Sequence, residues 1–415
     1  MNLFEPADLL IPNVEEMEKW SVIACDQFTS QPEYWERVEK TVGDAPSSLK
    51  LIFPEAKLGE ESGEMVSKIR ETMESYLSEG VFKEYKNAYI YVERTLKDGS
   101  IRKGVIGAIN LEEYDYSPHS MAGIRATEKT VVERIPPRKI IRENAILELP
   151  HILLFADDEK DYMCGYLESV KEELPLLYEF DLMEDGGHIE GRLVAGDYLE
   201  AFTTKMEAYG DFIASKYENS SKIPMIFAVA DGNHSLATAK ACYEDLKLKN
   251  SEGNLLEHPA RYALVEVVNI HDAAQKFEPI HRIVKNVDVQ TMLGALILES
   301  CATEGYPVKW YSGEKEGMIY LDPSKGQLPI GILQNFLDEY LSVHLGVIDY
   351  IHGEDVLKAL AKEPNSIGFE LSAIEKEKFF KGIIEDGVLP RKTFSTGHAQ
   401  EKRYYLEARK IVTEL

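Results

Sequence analysis

Lys222-Ile223-Pro224-Met225-Ile226-Phe227-Ala228-Val229-Ala230-Asp231-Gly232-Asn233-His234-Ser235-Leu236-Ala237-Thr238-Ala239 is the stretch from which the fold is read. Residues 223–230 are a short apolar run rich in strand formers, the length a buried strand needs. Asp231-Gly232-Asn233 is a tight-turn signal, because Gly and Asn tolerate positive φ. Residues 236–246 are Ala-rich and spaced like a helix. A buried strand that breaks sharply into a helix leaves unpaired backbone N–H groups, which together with the helix dipole seat an anion such as phosphate. Asp231, Gly232, Asn233, His234 and Ser235 sit at that mouth. The plainer reading gives Asp or Asn there only a capping role.

Outward from this stretch, strands and helices alternate. Residues 88–96 and 101–111 read as a hairpin around Lys97-Asp98-Gly99-Ser100. Helical patterns fall at 31–42, 65–77, 138–149, 197–217, 289–301, 333–345 and 374–386, with Asp288 placed to cap one of them. Residues 151–156 and 262–270 are strand candidates, the second a continuous apolar run suited to a central position. The expected class is mixed α/β (α+β): a central mixed sheet flanked by helices, with at least one additional lobe. Segments 1–150, 151–285 and 286–415 are the expected divisions.

The 415 residues exceed one ordinary core. Hydrophobic residues at 44% mark a folded chain, and a formal charge of −26 speaks against nucleic acid or an anionic membrane as partner. No run of about 20 apolar residues is present. The four cysteines are scattered without a C-x-x-C pair, which suits the cytoplasm. His271-Asp272 and His352-Gly353-Glu354-Asp355 lack zinc-site spacing.

A second polar cluster contains His119, Arg125, Thr127, Glu128, Lys129 and Thr130, and reads first as a solvated loop. Glu128 is its best carboxylate for general-base work. His234 suits acid–base chemistry or phosphate contact, and Asp231 suits Mg²⁺ or a hydroxyl proton. His281 and Arg282, after an expected buried strand, suit a phosphate, and Arg391, Lys392, Ser395 and Thr396 form a basic, small-residue loop.

The box at residues 229–239 resembles the D-G-H-H-R-x-x-x-A signature of the DUF1015 family of bacterial and archaeal proteins. Arg125-Ala126-Thr127-Glu128-Lys129-Thr130 resembles its R-H-E-x-T segment, Pro279-Ile280-His281-Arg282 its P-x-H-R segment, and Leu389-Pro390-Arg391-Lys392-Thr393 its M-P-P-K-S-T box. Asn233 stands where the family has a His, Ser235 where it has an Arg, and Ala126 where it has a His. Ser cannot fork onto a phosphate. A looser similarity extends to the partition-protein (ParB) and sulfiredoxin superfamily, which includes free-serine kinases. The resemblance implies a nucleotide-dependent phosphotransferase using ATP or ADP with Mg²⁺ on a small hydroxyl metabolite. Its catalytic residues would be Glu128, Asp231 and His234, and Asp231 would be the metal ligand. Gly232, Asn233, Ser235, His281, Arg282, Arg125 and Lys392 would hold the nucleotide, and a homodimer is the assembly allowed for. The alternatives are a nucleotide- or phosphometabolite-binding regulator without chemistry and, third, a ParB-like DNA-binding protein, which the net charge disfavours.

Overall fold

The structure is a computed structural model that describes residues 3–57, 62–218, 223–250, 255–390, 392–397 and 399–413. Its centre is the strand Tyr262–Asn269, buried along seven of its eight residues. Burial of each large aliphatic side chain there stabilises the fold by about 1.5–3 kcal/mol. The strand pairs antiparallel with Ile101–Asn110 on one side and parallel with Leu153–Ala156 on the other. From Leu153–Ala156 the sheet continues antiparallel to Phe227–Asp231, and then parallel to Ile124–Arg125. On the opposite flank lie Phe82–Thr95, Gly187–Val194 and Leu176–Leu182, giving an eleven-stranded mixed sheet. Parallel and antiparallel pairs share one layer, as the expected mixed α/β class requires. Strands from 82–110 and from 153–269 are thus hydrogen-bonded side by side.

Both faces of this sheet are covered. One carries Leu154, Phe227 and Val229, with Phe227 stacked on Tyr209 of the Asp197–Lys216 helix. The Tyr209 hydroxyl donates to the Ile226 carbonyl at 2.7 Å and accepts from the Asp157 N–H at 3.1 Å, so a buried phenol is fully paired. The other face sets Ile90, Val92, Ile106 and Ala108 against Tyr34 and Trp35 of the Pro32–Val42 helix. The hairpin forms with Thr95 opposite Ile101, and Asp288 caps Val289–Ser300 by accepting from the Thr291 N–H at 2.7 Å.

A second, six-stranded sheet follows the order Lys315–Leu321, Cys301–Ser312, Ile367–Glu370, Phe277–Lys285, Val347–His352, with Phe394–Thr396 pairing to Phe277–Pro279. The chain then returns to the first sheet. Tyr404–Tyr405 pairs with Val22–Ile23, and Arg409–Lys410 with Leu147–Glu148. Arg403 is buried on the way, donating to Glu266 at 2.8 Å and Glu407 at 2.7 Å. No described helix is long and apolar enough to cross a membrane.

Several elements depart from sequence expectation. The key strand spans Phe227–Asp231, because Gly123 takes the Ile226 and Phe227 N–H groups before the ladder to Ala156 begins. The following helix is Asn233–Lys249, starting three residues early because left-handed Gly232 serves as its N-cap. The expected 138–149 helix is Ile135–Asn144, with Pro at the helix start. Glu148, beyond its end, is held in a strand by Arg409. His281 and Arg282 do not follow a strand; they lie inside Phe277–Lys285.

Candidate functional site

Gly232 makes the corner. Its φ of +80° belongs to the left-handed region, and a Cβ there would meet the Ile152 backbone at 3.1 Å. The turn therefore closes against the neighbouring strand, and Asn233, His234 and Ser235 form the first helical turn. Their amides precede the first intrahelical bond, from the Leu236 N–H to the Gly232 carbonyl at 3.0 Å. Residues 231–235 line a cleft of about 140 Å³ together with Asp26, Glu128, Lys129 and Arg138. The Oδ1 of Asn233 is buried there without a hydrogen-bond partner.

The second polar cluster is the other wall of the same cleft, not a solvated loop. The Thr127 hydroxyl donates to the Val229 carbonyl at 2.7 Å, which pins the segment to the key strand. The Leu389 N–H donates to the Thr127 carbonyl at 2.7 Å, and Glu128 bridges to Leu389. The chain past Leu389 lies over Glu128, whose carboxylate accepts from the Thr393 and Lys392 backbone N–H groups. Burial pushes the Glu128 carboxyl above its usual range, and nearby Asp231 pushes the same way. Half-buried, with a raised proton affinity and facing a cleft, it has the character of a general base.

His234 is held as an acceptor. Its Nε2 takes the Val131 N–H at 3.3 Å, and burial, with Arg138 and Arg134 close by, pulls its pKa down to about 4. At neutral pH the ring is uncharged. Asp231 accepts the Gly232 N–H at 2.9 Å through Oδ1 and faces the Lys402 ammonium at 3.3 Å through Oδ2. That ammonium occupies the position a cation would need, so Asp231 fits a protein-held metal ion poorly. Among the described residues, the acid–imidazole cluster tight enough for an ion is Asp157, Glu159 and His271, and Lys216 already bonds both carboxylates there.

Three expected ligand-holding residues are elsewhere. Arg282 is fully buried in the second sheet, donating to Gln334 Oε1 and the Ile280 carbonyl, each at 2.7 Å. Its guanidinium lies 4.6 Å from the centre of the Tyr350 ring, and the charge of Glu128 acts on it. His281 points to the opposite face of that strand and accepts the Leu371 N–H at 3.1 Å. Arg125 is buried at the sheet edge, donating to the carbonyls of Ala122 and Ile223. Strand alternation sends the neighbouring Arg282 and His281 side chains to opposite faces, so at most one could have faced the cleft, and Gln334 and Leu371 hold one each. Lys392 lies over Glu128, while Arg391 falls outside the described residues.

Sequence reasoning missed Asp26 and Arg138 in the cleft wall, Lys402 paired with Asp231, and His151 in the recess that Ser235 also lines. The Ser235 hydroxyl meets His151 Nε2 at 2.9 Å, and His151 Nδ1 meets the Tyr405 hydroxyl at 2.8 Å. The one local signal was the polar His151 beside Pro150 at the head of an apolar strand.

The sequence matches the family model described as "Protein of unknown function (DUF1015)" over residues 6–323, and the chain belongs to that family. No curated protein matches it. Among solved structures, a mutant free serine kinase in complex with AMP matches at 12% identity and a TM-score of 0.37, over 74% of this chain and 90% of that one. The same kinase in complex with ADP matches at 11% and 0.37, over 77% and 95%. SbnI with a C-terminal truncation, from Staphylococcus aureus, matches at 12% and 0.36, over 70% and 83%.

Proposed function

We propose that this cleft binds the phosphate of a nucleotide, ATP or ADP, and transfers a phosphoryl group to the hydroxyl of a small metabolite such as free serine. One observation carries the reading: the unpaired amides of Asn233–Ser235 and the half-buried Glu128 carboxylate share one open cleft. The amides supply fixed donors and the positive end of a 17-residue helix. Lys129 and Arg138 add charge from the walls, and Lys392 adds it from beside Glu128. Positioning and electrostatic stabilisation are most of what phosphoryl transfer asks of a protein. Glu128 accepts the hydroxyl proton as the acceptor attacks. His234, neutral, shapes the cleft and carries no charge to the phosphate. Lys402 neutralises Asp231, so no step here is assigned to a metal held by the protein.

A second reading, a binding protein that senses a nucleotide or phosphometabolite without turnover, draws on the burial of Arg282 and Arg125 away from the cleft. The two are separated by incubating the protein with MgCl₂, ATP or ADP and a panel of hydroxyl metabolites. Nucleotide conversion that depends on the acceptor, and that disappears in Glu128→Gln while binding persists, supports transfer. Binding without conversion selects the sensor. If Asp231→Asn and His234→Ala change neither binding nor turnover, the site is misplaced.

A further inference from the structure

Behind the phosphate cleft lies a second recess of about 150 Å³, walled by Phe53, Met73, Ile141 and Leu149, and Ser235 and Arg138 line both spaces. At its polar end the hydrogen bonds form an ordered chain. The Tyr405 hydroxyl donates to Cys25 Sγ at 3.0 Å and accepts the Cys25 N–H at 3.3 Å. In the tautomer with the proton on Nδ1, His151 donates to the Tyr405 hydroxyl at 2.8 Å. Nε2 is then the bare nitrogen, and it faces the Ser235 hydroxyl at 2.9 Å. His151 and Tyr405 are buried, and their rings pack edge to face, so the imidazole is held in one orientation.

We propose that Ser235 is a nucleophile with His151 as its general base, and that the apolar recess takes the acyl group of an ester. The geometry is that of an activated hydroxyl: nucleophile and base within hydrogen-bond reach, and the base oriented by a third group. The Ser235 Oγ–acyl carbon bond forms as the Oγ proton passes to His151 Nε2. The ester C–O bond breaks and the departing alcohol takes that proton. Water then attacks the acyl-serine, His151 accepts its proton and returns it to Oγ, and the carboxylic acid leaves. Cys25 is not the nucleophile, since burial pushes its thiol up to about 12 and keeps it protonated. Tyr405 is a positioning residue. The activity needs neither nucleotide nor Glu128, so it stands or falls apart from phosphoryl transfer.

The test treats the full chain with an alkyl fluorophosphonate, whose phosphorus bonds to an activated serine oxygen as fluoride leaves. Intact-mass and peptide mapping are expected to find one adduct, on Ser235, absent in Ser235→Ala. His151→Gln, checked for folding by circular dichroism, is expected to label at least about 100-fold more slowly. Tyr405→Phe is expected to slow labelling and displace the midpoint of its pH profile, which a purely structural role would leave in place. An adduct elsewhere, no adduct on the folded wild type, or equal rates in folded His151→Gln would overturn the proposal. Should His151→Gln not fold, site mapping on the wild type and Ser235→Ala still decides.

Discussion

Protonating His234 reports directly on the field at the head of the Asn233–Lys249 helix. Burial and the two arginines pull it from the usual 6.5 to about 4. At about 1.4 kcal/mol per tenfold change in proton affinity, that difference corresponds to about 3 kcal/mol. The imidazole is only partly buried, and solvent screening reduces this to about 1.5 kcal/mol. The folded state holds the proton more weakly than the unfolded chain. The contribution is therefore complete above pH 6.5 and is lost as the pH falls through 4. Urea denaturation of wild type and His234→Gln between pH 7.5 and 4 should show the wild type losing about 1.5 kcal/mol relative to the variant. An anion seated on the adjacent amides would stabilise the charged ring, so inorganic phosphate should raise the His234 pKa read from its imidazole NMR signals. A ring titrating near 6.5, with a stability difference that does not change with pH, would refute both the burial argument and the assignment of His234 to the cleft wall.

Three further outcomes follow from the same geometry. Glu128→Gln should melt higher than wild type at pH 7–8. The raised carboxyl makes ionisation destabilising there, and the gain should vanish below its ordinary 4.5, where both side chains are neutral. Gly232→Ala should lose about 1–2 kcal/mol to the left-handed backbone alone, more from its contact with Ile152, and should weaken phosphate binding measured by calorimetry. Arg403→Ala removes the closest cation from buried Glu266 and Glu407, leaving them Arg102 and the Tyr178 hydroxyl, and should lower stability by about 3 kcal/mol in denaturant titrations.

The sequence by itself determined the elements whose cause is local. Apolar residues before Asp231, a glycine able to take positive φ, and an Ala-rich helix after it were enough to define the corner, and turn chemistry gave the hairpin at 97–100. Asp288 was legible as a cap because its partner, Thr291, is three residues away. Glu128 was legible as a carboxylate in a polar cluster, but what raises its proton affinity is not local. Burial and the charge of Asp231 raise it, and the Thr393 amide, which pulls the other way, also reaches it from a distant part of the chain. Arg282 shows the reverse. In the sequence it was a cation next to a histidine, and only the second sheet, through Gln334, Ile280 and Tyr350, decided that its guanidinium turns inward. The Ser235–His151–Tyr405 chain joins three separate segments through hydrogen bonds that no spacing encodes. Propensity and periodicity act over a turn or a strand. Desolvation and hydrogen-bond pairing act over a few ångströms of folded space, and only tertiary structure sets which residues share it.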